Sequence, residues 1–225
     1  MKKNNLKVKK WKKIWNNRNL SFNTETPTII KLMILNGHYD SINKINLKDW
    51  KKYGKNIIKK LKIKRNESIF EFGCGSGALL YLFKSKTNRL FGCDYSKQLV
   101  KLSKKIVPEL KIFYSDSENY KSYKIYDHVI SSSMLEYVKS NKIKKIITNM
   151  INSFSKGLFI GEILDKKYEK KFLEKFGKPK NYYTFINKKL FKDFCKSKNL
   201  KLKIYPSIMP GTKQKKFRYC VQINK

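Results

Sequence analysis

From Ser68 onward the chain alternates short apolar runs with helical patterns, and this alternation restricts the fold more than any other feature of the sequence. The runs are Ser68 to Phe72, Leu90 to Cys93, Leu110 to Tyr114, His128 to Ser132 and Leu158 to Ile163. Helical patterns fall between them at Gly77 to Phe83, Ser96 to Ile106 and Asn141 to Phe154, with a turn near Asn119. Strands that alternate with helices imply βαβ units and a parallel sheet covered on both faces. A lysine-rich helix over Lys167 to Phe176 and a helix from Asn187 to Cys195 follow. Two further strands, Leu200 to Ile208 and Phe217 to Ile223, are bridged by Pro210-Gly211 and close the pattern as a hairpin.

Before the first strand, Leu6 to Trp15 reads as a basic, Trp-containing helix. Pro27 opens a second helix that ends at Asn36-Gly37, and Lys48 to Leu61 forms a third. With 225 residues, one α/β domain with embellishments is expected. The helical cap spans 1–62 and the core 63–225, in one folding unit.

The net charge of +37 raises the question of a nucleic-acid partner. Only Arg18, Arg65, Arg89 and Arg218 among the 53 basic residues are arginine, whereas bidentate reading of phosphate and guanine favours arginine. The lysines are spread along the whole chain and accompany abundant Asn and Ile, a pattern expected from an AT-rich coding sequence. Weak, non-specific attraction to nucleic acid or anionic lipid follows, and a nucleic-acid-associated enzyme or a basic binding module stays as the alternative. No apolar run is long enough to span a bilayer, so no membrane insertion and a cytoplasmic location are expected. Cys74, Cys93, Cys195 and Cys220 lack metal-ligand spacing, which predicts reduced thiols and no metal.

The chemistry concentrates at strand ends. Glu71-Phe72-Gly73-Cys74-Gly75-Ser76-Gly77 closes the first strand and opens the next helix, the place where open α/β sheets bind ligands. Glycines there allow positive φ and close backbone approach. Asp94 ends the second strand, where a carboxylate can accept from ribose hydroxyls, and Asp116 follows the third in Tyr114-Ser115-Asp116-Ser117. Gly73, Gly75 and Ala78 also satisfy the looser dinucleotide pattern, so a nicotinamide dehydrogenase is a formal competitor.

Across Ser68 to Asp165, and again in the C-terminal strand pair, the chain resembles the class I S-adenosylmethionine-dependent methyltransferases. The resemblance implies a Rossmann-like, mostly parallel seven-stranded sheet with a C-terminal antiparallel hairpin, S-adenosylmethionine as cofactor, and transfer of a methyl group to oxygen or nitrogen of a small-molecule acceptor. It implies Glu71, Gly73, Gly75 and Gly77 around the methionine part of the cofactor, Asp94 on the ribose, Tyr95 on the adenine and Ser115 or Asp116 at the adenine edge. Backbone of Ser131, Ser132 and Ser133 would face the methionine amino group. Many small-molecule relatives carry Leu-Glu-His after the fourth strand; here Leu135-Glu136-Tyr137 departs from that pattern. Neither the Asn/Asp-Pro-Pro-aromatic sequence of amino-methyltransferases nor a Pro-Cys nucleophile is present. The acceptor side is expected to involve His38, Tyr39 and Tyr183, because the segments around Gly37-His38-Tyr39-Asp40 and Tyr182-Tyr183-Thr184-Phe185 lie outside the core sheet and carry rings with polar tips; Glu136 either acts on the acceptor, steadies the cofactor loop or begins the next helix near its positive dipole. His128, on the fourth strand, is expected to be a buried core histidine.

Overall fold

The computed structural model describes residues 11–18, 22–38, 45–121, 124–177 and 183–225. Tyr39 and Tyr182 lie outside the described residues.

Residues 11–16 form a helical segment, α1, followed by α2 (Thr28–Leu35) and α3 (Leu47–Leu61). The core then runs β1 (Ile69–Phe72), α4 (Ala78–Leu82), β2 (Leu90–Asp94), α5 (Lys97–Ile106), β3 (Lys111–Tyr114), β4 (Tyr126–Ser132), α6 (Ile143–Ile151) and β5 (Phe154–Leu164). It ends with α7 (Glu169–Phe176), α8 (Lys188–Ser197), β6 (Lys201–Pro206) and β7 (Arg218–Asn224). All seven expected strands form. The largest boundary difference is at β5, which begins at Phe154, a residue the sequence pattern placed at the end of the preceding helix. Phe154 pairs with Tyr126 of β4 and is fully buried, so sheet pairing overrides the apolar helical spacing that leads up to it.

The seven strands lie in the order β3-β2-β1-β4-β5-β7-β6. Pairs from β3 to β5 are parallel, while β5–β7 and β6–β7 are antiparallel. Strand order reverses between β1 and β4, which opens a crevice at their C-terminal ends. Side chains from alternate strand positions divide into two cores. Ile69, Ile130 and Phe159 pack with Trp50, Ile57, Leu80 and Val100 from α3, α4 and α5 on one face. Phe70, Val129, Leu158 and Ile160 pack with Ile146, Met150 and Phe191 from α6 and α8 on the other. Burial on both faces explains why β1, β2, β4 and the second half of β5 read as continuous apolar runs, whereas β3, at the sheet edge, buries only Ile112.

Local signals fix the helix starts. Asn46 caps α3 by accepting from Asp49 N–H at 2.8 Å, and Ser96 caps α5 by accepting from Leu99 N–H at 3.2 Å. The Ser96 hydroxyl also donates to Trp15 O at 2.9 Å, which ties the N-terminal segment across the crevice. The four cysteines are buried and free. Among the described residues no group of His, Cys, Asp and Glu could hold a metal ion, and no helix is long and apolar enough to cross a membrane. His128 is buried on β4, with its Nε2 2.8 Å from Glu67 Oε2.

Candidate active site

The crevice between β1 and β4 opens into a cavity of about 460 Å³ at the C-terminal ends of the parallel strands. Its floor is the turn after β1. Gly73, Gly75 and Gly77 all have positive φ (68°, 56° and 85°), and the amides of Gly73 and Cys74 both donate to Cys93 O, at 2.8 and 3.1 Å. A Cβ on Gly73 would lie 2.2 Å from Met134 Cγ, and one on Gly75 would lie 2.4 Å from Asn36 Oδ1. These contacts demand glycine whatever binds above. Asn36 holds the turn from the other side: its Oδ1 accepts from Ser76 N–H (2.7 Å) and the Ser76 hydroxyl (2.8 Å), and its Nδ2 donates to Cys74 O (3.2 Å).

Asp94, at the tip of β2, lines the cavity beside this turn. Its Oδ2 accepts from Gly75 N–H and its Oδ1 from Ser96 N–H, both at 2.8 Å. Burial pushes its carboxyl up to about 6 against the pull of those two amides, and Asp116 adds to the rise. Each oxygen keeps a further lone pair for a ligand. Tyr95 and Asp116 continue the wall. The Tyr95 hydroxyl is buried with no hydrogen-bond partner, Lys12 Nζ sits 5.7 Å from its ring centroid, and the same ammonium lies 3.7 Å from Asp116 Oδ2. An orphaned hydroxyl and a carboxylate with spare lone pairs, set beside the glycine turn, suit a bound nucleoside-containing ligand.

Ser132 and Ser133 line the middle of the cavity. The Ser132 hydroxyl lies 2.8 Å from Tyr53 Oη, and Ser133 adopts φ 52° with its amide donating to Gly161 O. Glu71, Gly77, Ser115 and Ser131 do not line the cavity. Glu71 is buried beneath the turn with one carboxylate oxygen unpartnered, and burial followed by the nearby Asp94 charge drives its carboxyl well upward. Gly77 faces Leu110 and Ile112, the Ser115 amide donates to Asp94 O, and the Ser131 hydroxyl donates to Phe72 O.

Aromatic rings form the roof. Trp11 meets Tyr137 edge-on at 4.7 Å and stacks on Tyr183 at 5.5 Å, while Trp15 meets Tyr137 at 5.6 Å and carries the Arg18 guanidinium 4.9 Å from its ring. His38 lines the cavity with its ring 4.5 Å from Trp50.

The wall beyond β4 is charged. Arg218 on β7 donates from Nη1 to Glu136 Oε1 (3.2 Å) and from Nη2 to Glu136 Oε2 (2.9 Å). Glu162 on β5 lies alongside, 1% exposed. Sequence reasoning missed Asn36, Glu162, Arg218, Met209 and Gln214, all of which line the cavity. In the sequence Asn36 marks only a helix end, Glu162 lies inside the fifth apolar run, and Met209, Gln214 and Arg218 fall on or beside the C-terminal strand pair. Trp11 and Trp15 belong to the helical cap, and no sequence signal marks their place at the cavity.

Comparison with known proteins agrees with this geometry. Residues 69–157 match a family model described as a methyltransferase domain. No curated protein matches the chain. Among solved structures, an S-adenosylmethionine-dependent methyltransferase from Clostridium acetobutylicum ATCC 824 is 11% identical, with a TM-score of 0.67 over 87% of this chain and 98% of that one. Magnesium protoporphyrin IX methyltransferase from Synechocystis PCC 6803 with bound SAM is 11% identical, with a TM-score of 0.60 over 91% of this chain and 100% of that one. The plantazolicin methyltransferase BpumL, in complex with a pentazolic desmethylPZN analog and SAH, is 18% identical, with a TM-score of 0.62 over 99% and 98% of the two chains. At these identities the structural likeness establishes the fold, and the family match covers the strands and turns that form the cavity floor. Residues 69–157 thus match a methyltransferase domain, and the chain as a whole has the fold of the S-adenosylmethionine-dependent methyltransferases.

Proposed function

We propose that the protein transfers a methyl group from S-adenosylmethionine to an oxygen or nitrogen of a small-molecule acceptor. The observation that carries this reading is the conjunction of the triple positive-φ glycine turn with Asp94, whose two oxygens accept from Gly75 and Ser96 amides. Gly73 and Gly75 would admit the methionine part of the cofactor, Asp94 would accept from the ribose hydroxyls, and Tyr95 with Asp116 would flank the adenine. Ser132 and Ser133 would lie toward the methionine amino group. Glu71 and Gly77 would act by holding the turn, and Ser115 and Ser131 by fixing the ends of the neighbouring strands.

The cofactor supplies an activated methyl on a positively charged sulfur. The chain then has to position the acceptor and exclude water, and a near-attack arrangement contributes about 7–11 kcal/mol in favourable cases. A cavity of about 460 Å³ roofed by Trp11, Trp15, Tyr137 and Tyr183 suits that task and a small acceptor. His38, Glu136 and Tyr183 line it on the acceptor side, and Tyr39 continues the chain from His38.

The test is incubation of the pure protein with methyl-labelled S-adenosylmethionine and a cell metabolite extract. Label should enter a low-molecular-mass product. Transfer only into nucleic acid or protein would overturn the small-molecule reading.

A further inference from the structure

The tips of β1, β2 and β3 serve the cofactor in the reading above, which leaves the wall made by β5 and β7 for the acceptor. The charges on that wall do not balance. Arg218 has every N–H engaged: Nε and Nη2 donate to Gln214 Oε1 (3.1 and 2.6 Å), Nη1 and Nη2 to Glu136 (3.2 and 2.9 Å), and Nη1 to Glu162 O (2.7 Å). A guanidinium carries five N–H groups, so none is left for a carboxylate or phosphate on a ligand. Against this one cation stand two buried carboxylates, Glu136 and Glu162. Glu136 is matched by the bidentate pair. Glu162 has only uncharged donors on its carboxylate: the Ser207 hydroxyl at 2.7 Å, the Cys220 thiol at 3.5 Å and the Met209 backbone amide.

The backbone brings Glu162 to this place. The β5–β7 register shifts between Ile160 and Ile163, and Glu162 takes φ 60° inside the strand. A bulge re-aims a side chain out of the simple strand alternation. Here the residue that results lines the cavity.

We propose that the methyl acceptor is an amine and that Glu162 is the carboxylate that binds it, an inference that rests on the methyl-transfer reading of the cavity. An ammonium group supplies the positive charge this wall lacks and donates hydrogen bonds to oxygens that keep free lone pairs. An anionic acceptor finds no free donor on Arg218 and meets two carboxylates instead. Burial raises the carboxyl of Glu162 above the usual range despite the Ser207 and Arg218 contacts, which suits it to take a proton. The step balances: Glu162 accepts one proton from the ammonium, the freed nitrogen lone pair forms a bond to the methyl carbon, and the carbon–sulfur bond breaks with its electron pair going to sulfur. The proton then leaves Glu162 for solvent.

The test uses the full chain saturated with SAH and three isosteric probes, phenethylamine, phenylethanol and phenylacetate, titrated by calorimetry at neutral pH. The aromatic ring of each probe suits the Trp and Tyr roof. Phenethylamine should bind at least about tenfold more tightly than either of the others. Glu162→Gln should remove that preference while leaving SAH affinity within about twofold, and Glu162→Asp, which tolerates positive φ, should retain it. Equal binding of the three probes, a preference for phenylacetate, undetectable amine binding, or an unchanged preference in Glu162→Gln overturns the proposal. The comparison of probes on the unmodified protein decides it even if a variant fails to fold. If SAH itself does not bind, the methyl-transfer reading fails; if SAH binds and the amine is not preferred, only the amine assignment fails.

Discussion

Arg218 and Glu136 form a bidentate ion pair across the wall of the cavity, 9% and 3% exposed at their side chains, linking the last strand to the turn after β4. Burial raises the Glu136 carboxyl and Arg218 opposes that rise, so the guanidinium is what makes an ionised Glu136 tolerable there. Removing one member of a buried pair costs about 3–5 kcal/mol because the other charge stays behind. Arg218→Met should therefore lower the unfolding free energy by about that much in urea titrations. The double variant Glu136→Leu with Arg218→Met should recover a large part of it. A single variant within about 1 kcal/mol of wild type would show that the pair carries little energy.

Asp94 sets a pH dependence for cofactor binding. Its folded carboxyl is pushed up to about 6, above its ordinary value, and the ionised form is the better acceptor for ribose hydroxyls. Affinity for SAH should hold above pH 6 and fall as the pH drops through it, since protonation then removes the charge that the ligand stabilises. Titrations at about pH 7.5 and about pH 5 should differ several-fold in the wild type. In Asp94→Ala the affinity should be weaker by about 1–3 kcal/mol and lose that dependence.

Gly161 and Tyr53 make a steric prediction. A Cβ on Gly161 would stand 2.2 Å from Tyr53 Oη, the atom that meets the Ser132 hydroxyl at 2.8 Å. Tyr53 is fully buried and has no free space to yield. Gly161→Ala should cost about 1–3 kcal/mol by overpacking, measured by chemical denaturation, whereas Tyr53→Phe should cost only about 0.5–1.5 kcal/mol for its hydrogen bond. Equal effects would contradict the packing described.

At the opposite end of the sheet, Lys156 Nζ bridges Glu67 Oε1 at 2.7 Å and Asp127 Oδ1 at 2.8 Å. Burial acts to raise Glu67, but hydrogen bonds from Lys156, the Lys64 amide and His128 outweigh it and hold the carboxyl at about 2. A depressed carboxyl contributes stability that is present above its unfolded value and lost as pH falls through its folded value. Lys156 is half exposed, so water screens the pair and the contribution is about 1–2 kcal/mol. Glu67→Gln should lose that amount near neutrality and much less at pH 2, where the folded carboxyl is half protonated, as read from urea midpoints at both pH values.

The succession of strands and helices along the chain and the acidic residues at the strand ends are legible because they depend on local pattern: β1 ends before the glycines, β2 ends in Asp94, and Asp116 follows β3. The charged wall is not. Glu162 faces the cavity only because a bulge interrupts β5, and a bulge is a property of pairing between strands that are far apart in sequence. In the sequence Arg218 is one of four scattered arginines, and nothing near it in the chain signals Glu136, 82 residues away. Asn36 is similar: its role as a brace for the glycine turn arises from a contact 40 residues apart. Glu71 illustrates the reverse case. Its place two residues before Gly73 suggested proximity to the ligand, yet the fully buried β1 keeps it beneath the turn.

The most direct test of the central claim is a calorimetric titration of the full chain with SAH, run beside NAD⁺ as a control. Saturable binding of one SAH per chain, with no heat from NAD⁺ and weaker SAH binding in Asp94→Ala, is the expected result. A folded protein that ignores SAH, or that binds NAD⁺ in its place, would contradict the account.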